Sequence, residues 1–245
     1  MRHQINSRAH FSVRHLAAQP SDGWIKDWLS AGKFATYLTV SGGSRERALD
    51  LYEWNARLSA AFLHDLSHLE VGLRNACDRE LTAAAIAADT RSTDPATLLM
   101  LFPVASRRNR ASGRQYDANA IPRSNVERAR KSATTARRTP PVSGKTVAEI
   151  MFGFWTYLFS DLHEKTIWVP YLHKAFPPGT DRNQLSATLA SLRDFRNRVA
   201  HHEHILTGSE AERRRIVSIV RLLSPDAVSH LVSNSEVSTI LAERP

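Results

Sequence analysis

A long run of apolar residues at helical spacing constrains the fold of this chain more than any other feature. From Ser44 to about Ala88, apolar positions recur in steps of three and four. They are Leu51, Trp54 or Asn55, Leu58, Phe62, Leu66, Leu69 and Leu73. This period predicts an amphipathic helix, either continuous or divided in two, with Ser44 as its N-cap. Together with further helical segments, it predicts an all-α bundle of about six to eight helices.

Two other segments belong to this predicted bundle. Near the N-terminus, Trp24 and Trp28 are spaced i and i+4 and suggest a packed anchor on a short helix. Further on, Thr146 is the predicted cap of an aromatic core helix over residues 147–162. Alanine, leucine and arginine are abundant, and the chain is 42% hydrophobic, which suits an all-α protein with a substantial core.

Positive charge is concentrated in one segment. The net charge is +9, and residues 104–145 hold eleven Lys or Arg against two acids, which accounts for the whole excess. Tyr116 is the only aromatic residue of this segment, so it offers little to bury and no platform for stacking bases. We expect a long, mobile basic insert with one helical turn around residues 125–133. Its candidate RNA-binding residues are Arg107, Arg108 and Arg110, which can attract phosphates without sequence specificity.

The cellular setting follows from what the sequence contains. Cys77 is the only cysteine, so no intramolecular disulfide can form, which suits a reducing compartment. We read no signal peptide and no apolar stretch long enough to span a bilayer. The expectation is a cytoplasmic protein without a membrane partner. Residues 1–20 are expected to be flexible, and residues 21–245 to form a single helical domain that includes the basic insert.

Residues 192–205 combine polar and apolar side chains in one predicted helix, capped by Asp181 and ended by Gly208. Four apolar residues suit a core: Leu192, Phe195, Val199 and Ile205. Four polar residues fall on another face: Arg193, Asn197, His201 and His204. A core helix has no need of three histidines in four residues, so this stretch is the first candidate for chemistry.

Three hypotheses fit these residue types. In a metal-independent ribonuclease, an imidazole takes the proton of a ribose 2′-OH and a guanidinium neutralises the phosphorane, while Asn197 holds His201 from one turn away. In a metal-dependent hydrolase, His201 and His204 would be ligands at i and i+3 with Glu203 between them, although this is not the His-Glu-x-x-His motif. In a binding module, the same residues form a polar network or a partner interface.

The long helix predicted over residues 44–88 carries a second group of polar residues. They are His64, His68, Glu70, Arg74, Asn75 and Asp78. Glu70 and Arg74 are spaced i and i+4 in the favourable orientation for a helical ion pair. A solvated helix face with one ordinary ion pair is the simplest interpretation of this group.

Four sequence blocks carry a family resemblance. They are DLYEWN at 50–55, HLEVGLRNA at 68–76, TVAEIMFGFW at 146–155 and LRDFRNRVAHHE at 192–203. In this order they resemble the Abi-like (abortive-infection) family, in its AbiD/AbiF-type branch, from about Trp24 to Leu223. Within the last block, residues 196–201 also match the Arg-x4-His pattern of HEPN-domain ribonucleases, with Asn in the first x position.

The resemblance implies a HEPN-like helical bundle and a toxin-like role in bacterial anti-phage defence. It also implies RNA cleavage without a metal or cofactor, in a homodimer that pairs two Arg-x4-His motifs. In this chain Arg196 would stabilise the transition-state phosphate, His201 would be the acid and base, and Asn197 would orient them.

The remaining implied roles are supporting ones. Glu70 and Arg74 would lie near the site on a neighbouring helix, joined by His202 and Glu203. Two further candidate RNA contacts on the site helix are Arg193 and Arg198. The expected partners are RNA, a second copy of the chain, and a neutralising partner whose existence the sequence does not decide. The alternative function is a catalytically silent HEPN module that binds RNA or a protein.

Overall fold

A computed structural model describes residues 23–87, 101–135 and 143–245. The flexible segment predicted over residues 1–20 lies outside the described residues. The chain divides into two compact units, residues 1–52 and 53–245, and the division falls within one helix. The single domain expected over residues 21–245 stays a prediction.

The described part of the first unit contains short helices. Helix α1 spans Gly23–Leu29, helix α2 spans Ala31–Val40, and helix α3, Arg45–Ala87, begins here. Ile25 and Leu29 of α1 are buried, whereas Trp24 and Trp28 are exposed. The predicted tryptophan anchor is therefore wrong. A seven-residue helix can bury only one narrow stripe, and here the two aliphatic residues form it.

Helix α3 is one continuous helix of 43 residues. The backbone N–H of Arg47 bonds the Ser44 hydroxyl at 3.4 Å, as a capping residue should. In the second unit its apolar face is buried from Leu58 to Leu81 at the predicted three-and-four spacing. Three polar residues are nevertheless buried on this helix: Asn55, Ser59 and Asp65.

The described part of the basic segment is structured, which corrects the expectation of a mobile loop. Strands β1, Ser106–Arg108, and β2, Gln115–Asp117, pair antiparallel, and helix α4 follows over Ala120–Thr135. The Asp117 carboxylate accepts hydrogen bonds from the backbone N–H of Ala105 at 2.9 Å and of Asn119 at 3.0 Å. The hydrogen bond from Ala105 contributes most to holding the pKa of Asp117 below its usual value. The bond from Asn119 and the ion pair with Arg123 lower that pKa further. One acid therefore fastens the hairpin to the start of α4.

Helix α4 buries a stripe of small apolar residues, which its many arginines obscure in the sequence. Val126, Ala129 and Ala133 are buried and spaced three and four apart. Beside this stripe, the Ser132 hydroxyl donates a 3.1 Å hydrogen bond to the Glu149 carboxylate of the next helix. The predicted single turn around residues 125–133 is thus the middle of a longer helix.

The aromatic core segment is broken, which corrects the prediction of one helix over 147–162. Helix α5 spans Ser143–Glu149 with Thr146 inside it, and helix α6 spans Phe152–Tyr157. Between them Met151 has extended backbone, with φ −69° and ψ 153°. The extended backbone at Met151 separates Phe152, Phe154 and Trp155, which lie on α6, from α5. All three are buried here, as predicted for core residues.

Four helices complete the second unit, after short 3₁₀ and π turns between Asp161 and Ala175. They are α7, Arg182–Ala200; α8, Ser209–Leu223; α9, Pro225–Asn234; and α10, Val237–Ala242. The predicted cap of α7 is confirmed, since Asp181 accepts hydrogen bonds from the backbone N–H of Asn183 at 2.7 Å and of Gln184 at 3.1 Å. In the described residues the only strands are β1 and β2, so the all-α class is confirmed.

His163 is an ionisable residue in the aromatic core. It is 2% exposed and makes edge-on contacts with the rings of Phe102 and Tyr157, at centroid distances of 5.6 and 5.1 Å. Its Nε2 has no hydrogen-bond partner among the described residues. Burial therefore lowers the pKa of His163, because the charged ring would lose its hydration.

Acid should destabilise the protein through His163. Its pKa is lower in the folded chain than the value of about 6.5 in an unfolded one, so the unfolded state takes up more protons below that pH. The free energy of unfolding should then fall as the pH drops from about 6.5 through the folded-state pKa. Urea unfolding from pH 8 to 5 should show a flatter acid decline in His163→Phe than in the wild type. An equal acid decline of the unfolding free energy in the wild type and in His163→Phe would contradict this role of His163. His204→Phe, which replaces an exposed histidine, is the control.

Candidate active site

Helix α7 carries the 192–205 stretch with its apolar side inward. Leu192, Phe195 and Val199 are buried, and the Phe195 ring meets that of Phe62 on α3 edge-on at 4.8 Å. This contact fixes the rotation of α7 about its axis, so the polar residues of the stretch are turned away from α3's apolar stripe. The side chain of Arg193 lies against Gly153 of α6. A Cβ atom placed on that glycine would be 3.7 Å from the Cδ of Arg193.

Arg196 meets a carboxylate from α3. Its Nε lies 3.9 Å from Oε2 of Glu70, and the two side chains are 38% and 25% exposed. That distance is the outer limit of an ion pair, so Glu70 orients the guanidinium without a close hydrogen bond. The arrangement leaves a positive group held in place at a surface that solvent and ligands can reach.

Helix α7 ends before the histidines, which corrects the prediction that it continues to Gly208. Its last helical residue is Ala200, and His201 is the C-cap, with its N–H bonded to the Asn197 carbonyl at 2.9 Å. The N–H groups of His202 and Glu203 bond the carbonyls of Val199 and Arg198, at 3.0 and 2.9 Å. This pair of bonds is the Schellman motif, which stops a helix by placing one residue in the left-handed region.

The left-handed residue is His202, with φ 55°. Glycine is the usual choice there because it has no Cβ to clash with the backbone, whereas histidine is strained. The predicted face is therefore right as far as His201 and wrong for His204, which lies beyond the reversal of the chain. The metal-dependent hypothesis loses its geometry, because His201 and His204 do not share a helical face.

Exposure separates the candidate catalytic residues from the core. His201 and Asn197 are exposed, and so are the neighbours His202, Glu203 and His204. A buried salt-bridge network at this end of α7 is inconsistent with that exposure. Arg196, five residues before the cap, is half-buried, so a guanidinium and an imidazole lie near one end of one helix at the protein surface.

The other predicted site residues have different neighbours. Arg74 donates a weak 3.4 Å hydrogen bond to the Ala148 carbonyl and so connects α3 to α5. Arg193 forms an ion pair with Asp194 at 2.9 Å, and the guanidinium of Arg198 lies 5.4 Å from the Phe195 ring centre. Glu70 is thus the supporting residue that the fold brings to Arg196.

Asn55 is a positioning residue that the sequence interpretation did not identify. Its buried amide oxygen accepts a 2.8 Å hydrogen bond from the N–H of Ile205, at the end of the histidine loop. The Ile205 carbonyl accepts from the Ser209 hydroxyl at 2.7 Å, and the Leu206 carbonyl from Arg244 at 2.8 Å. The loop that presents His201 is therefore fixed at its far end. One signal in the sequence could have identified Asn55: its amide occupies an apolar position in the three-and-four spacing of α3.

The three predicted arginines of the basic segment lie together on the β1–β2 hairpin. Arg107, Arg108 and Arg110 are all exposed, and Arg108 Nε donates to the Gly113 carbonyl at 3.0 Å. The hairpin and α4 are tied to the core by the Tyr157 hydroxyl, which donates to the Ala118 carbonyl at 3.2 Å. This basic surface is therefore held by folded structure.

Comparison with known proteins identifies the family. The family model described as Abi-like protein matches residues 23–207, most of the chain, and the protein belongs to that family. Membership suggests a role in abortive infection. No curated protein matched the chain, and no solved structure did. Among the described helices, none combines the length and apolar character needed to cross a bilayer.

Replacing the strained residue at the end of α7 should stabilise the protein. His202→Gly removes a clash of about 1–2 kcal/mol but adds unfolded-state freedom worth about 0.4–1 kcal/mol, so the free energy of unfolding should rise by about 0.5–1 kcal/mol. Chemical denaturation measures the change. Glu203→Gly, at the next exposed residue, is the matched control and should give no gain. A His202→Gly variant no more stable than this control would show that the left-handed backbone carries no strain.

Proposed function

We propose that this Abi-like protein is a metal-independent endoribonuclease of the HEPN type that acts as a toxin in abortive infection. The observation that carries the proposal is the half-exposed Arg196 guanidinium, paired with Glu70 and five residues before the exposed His201 at the end of α7. Surface exposure is what a large polymeric substrate requires of such a pair. The resemblance to Arg-x4-His ribonucleases supports the same assignment.

The reaction needs no group beyond these side chains and water. His201 takes the proton of the ribose 2′-OH, whose oxygen attacks the adjacent phosphorus. Arg196 neutralises the charge that builds on the phosphorane oxygens. The bond from phosphorus to the 5′-oxygen breaks, and the leaving oxygen takes up the proton that the His201 imidazolium gives back, directly or through water. The products are a 2′,3′-cyclic phosphate and a 5′-hydroxyl.

One chain supplies a single arginine and a single histidine, so we propose that two copies assemble the site across a two-fold axis. The α3 face that carries Glu70 supports this, because it also presents the exposed apolar side chain of Leu63, seven residues earlier and so on the same side of the helix. Apolar groups beside a charged site suit a self-complementary contact that also excludes water from the reacting phosphate.

Cleavage should survive a chelator and depend on two side chains. In excess EDTA, the wild type should cleave RNA, and Arg196→Ala and His201→Ala should each lose about 100-fold or more, the usual range for losing a charge-stabilising group or a general base. His204→Ala is the matched control, an exposed histidine beyond the chain reversal, and should keep full activity. Analysis of the 3′ ends should find cyclic phosphate.

Two outcomes would overturn the nuclease proposal: activity abolished by EDTA, or equal activity in all four proteins. The shared site has its own test, in which the two inactive variants are mixed and allowed to exchange subunits. Partial recovery of cleavage supports a site built from both copies. No recovery, with exchange verified by a tag on one variant, excludes a site that combines the arginine of one chain with the histidine of the other.

A second candidate function is RNA or protein binding without cleavage. The basic hairpin favours RNA, because its exposed arginines can bind phosphates whether or not His201 is catalytic. In that case, RNA would bind the wild type and His201→Ala equally, and neither would cleave it.

The hairpin arginines should control the salt dependence of RNA affinity. Each phosphate contact releases counterions and adds about 0.7 to the slope of log affinity against log salt for a single strand. Arg107→Ala/Arg110→Ala should therefore reduce that slope by about 1.4 in a binding titration across salt concentrations. Arg214→Ala, at an exposed arginine paired with Glu210 on α8, serves as the control. An unchanged slope in the double variant would exclude the hairpin from the RNA contact.

A further inference from the structure

The segment that contains α10 reaches the loop of the candidate active site. Arg244, two residues beyond the end of α10, donates a 2.8 Å hydrogen bond to the carbonyl of Leu206. Leu206 is buried and lies five residues after His201. Because the donor is a charged guanidinium, this bond is stronger than one between neutral groups. The loop from His201 to Leu206 is therefore attached to a part of the chain outside both α3 and α7.

Trp54 of α3 holds this segment in place through two contacts. The side chain is only 3% exposed, and its Nε1–H donates a 2.6 Å hydrogen bond to the Ile240 carbonyl of α10. The guanidinium carbon of Arg244 lies over the indole ring, 5.3 Å from its centre. A cation at that distance is attracted to the electron-rich face of the ring. Trp54 thus fixes both the helix and the guanidinium that bonds Leu206.

The segment has few contacts that resist its release. Helix α10 is six residues long and buries only Val237 and Ile240. Glu243 forms an ion pair with Arg57 of α3, but the two side chains are 46% and 56% exposed, and exposed pairs contribute little to stability. A short helix with so few buried side chains opens at lower cost than the core helices α3 and α7.

Two consecutive residues of the loop are bonded to different parts of the fold. The N–H of Ile205 bonds Asn55 of α3, and the carbonyl of Leu206 bonds Arg244. One hydrogen bond leaves a loop free to pivot about it, whereas a second bond at the next residue fixes the direction in which the loop returns to His201. Direction matters for a catalytic group, because a displacement of about 1 Å can cost about 100-fold in rate.

We propose that residues 237–244 are a clasp that controls the proposed nuclease, and this inference rests on that proposed function. With the clasp docked, the loop holds His201 in its reactive position, and with the clasp released, the site loses its turnover. Trp54 and Arg244 are positioning residues, because they act through Leu206 and touch no reacting atom. The candidate RNA contacts lie elsewhere, on Arg196 and the basic hairpin, so the clasp controls the rate of cleavage and leaves RNA affinity unchanged.

Arg244→Ala tests the clasp in a cleavage assay with excess EDTA and an RNA oligonucleotide that the wild type cleaves. The variant should lower kcat about tenfold or more and change KM by less than about twofold. Arg214→Ala is the matched control. Arg214 lines the same cleft of about 450 Å³ as Arg244 and Leu206, but it is paired with Glu210. The control should therefore keep the kcat of the wild type.

Hydrogen–deuterium exchange measures the position of the loop without reference to activity. In Arg244→Ala, peptides that cover residues 201–206 should exchange about tenfold faster than in the wild type, because the loop loses one of its two attachments. The same peptides should be unchanged in Arg214→Ala. Circular dichroism confirms that both variants are folded.

Three results would overturn the clasp. They are a kcat of Arg244→Ala within about twofold of the control, a rise in KM without a loss of kcat, which would make Arg244 an RNA contact, and unchanged exchange of the loop in Arg244→Ala. A wild type that cleaves no RNA would contradict the nuclease, whereas the exchange experiment would still decide whether the clasp holds the loop. The two proposals can therefore fail separately.

Discussion

The helical period of α3 is the constraint on which the rest of the second unit depends. Its leucine stripe is buried, and two of the three buried polar residues on the helix have hydrogen-bond partners, which avoids the cost of about 1–3 kcal/mol that an unsatisfied buried group carries. Asn55 finds the N–H of Ile205, and Asp65 finds Ser235 and His64. Glu70, half-buried at the edge of the stripe, meets Arg196. One helix thus holds the histidine loop, the His64 ring and the guanidinium in place.

Termination of α7 matters to the candidate site as much as its packing. A helix that continued through His204 would project the four residues after Ala200 in different directions around its axis. The Schellman motif instead stops the helix at His201 and turns the chain at once, with His202 in the left-handed region. The next anchor, the hydrogen bond at Ile205, follows only three residues later. The short loop between these two fixed points has little freedom, which suits residues that must be presented to a substrate.

Local signals predicted the parts of this fold that local physics decides. The α3 stripe and the Asp181 cap could be predicted because period and capping chemistry are set within a few residues. The break at Met151 could not, because it depends on where the surrounding core places the aromatic residues. The hairpin could not be predicted from its arginine-rich sequence, because the Asp117 carboxylate that fastens it bonds backbone N–H groups that no sequence pattern displays. In the candidate site, residue types indicated Arg196 and His201, but contacts between distant segments revealed Asn55.

The hydrogen bonds around the histidine loop have a consequence for when the candidate site forms. Asn55 and Ile205 are 150 positions apart, and Trp54 donates to the Ile240 carbonyl, 186 positions away, at 2.6 Å. Closing loops of that length is slow compared with forming a helix, so α7 can form long before its final loop is anchored. A nascent chain that has emerged only as far as α7 lacks Ile205, Arg244 and Ile240. The loop that presents His201 is therefore completed late in folding, only after residues 205–244 have been made.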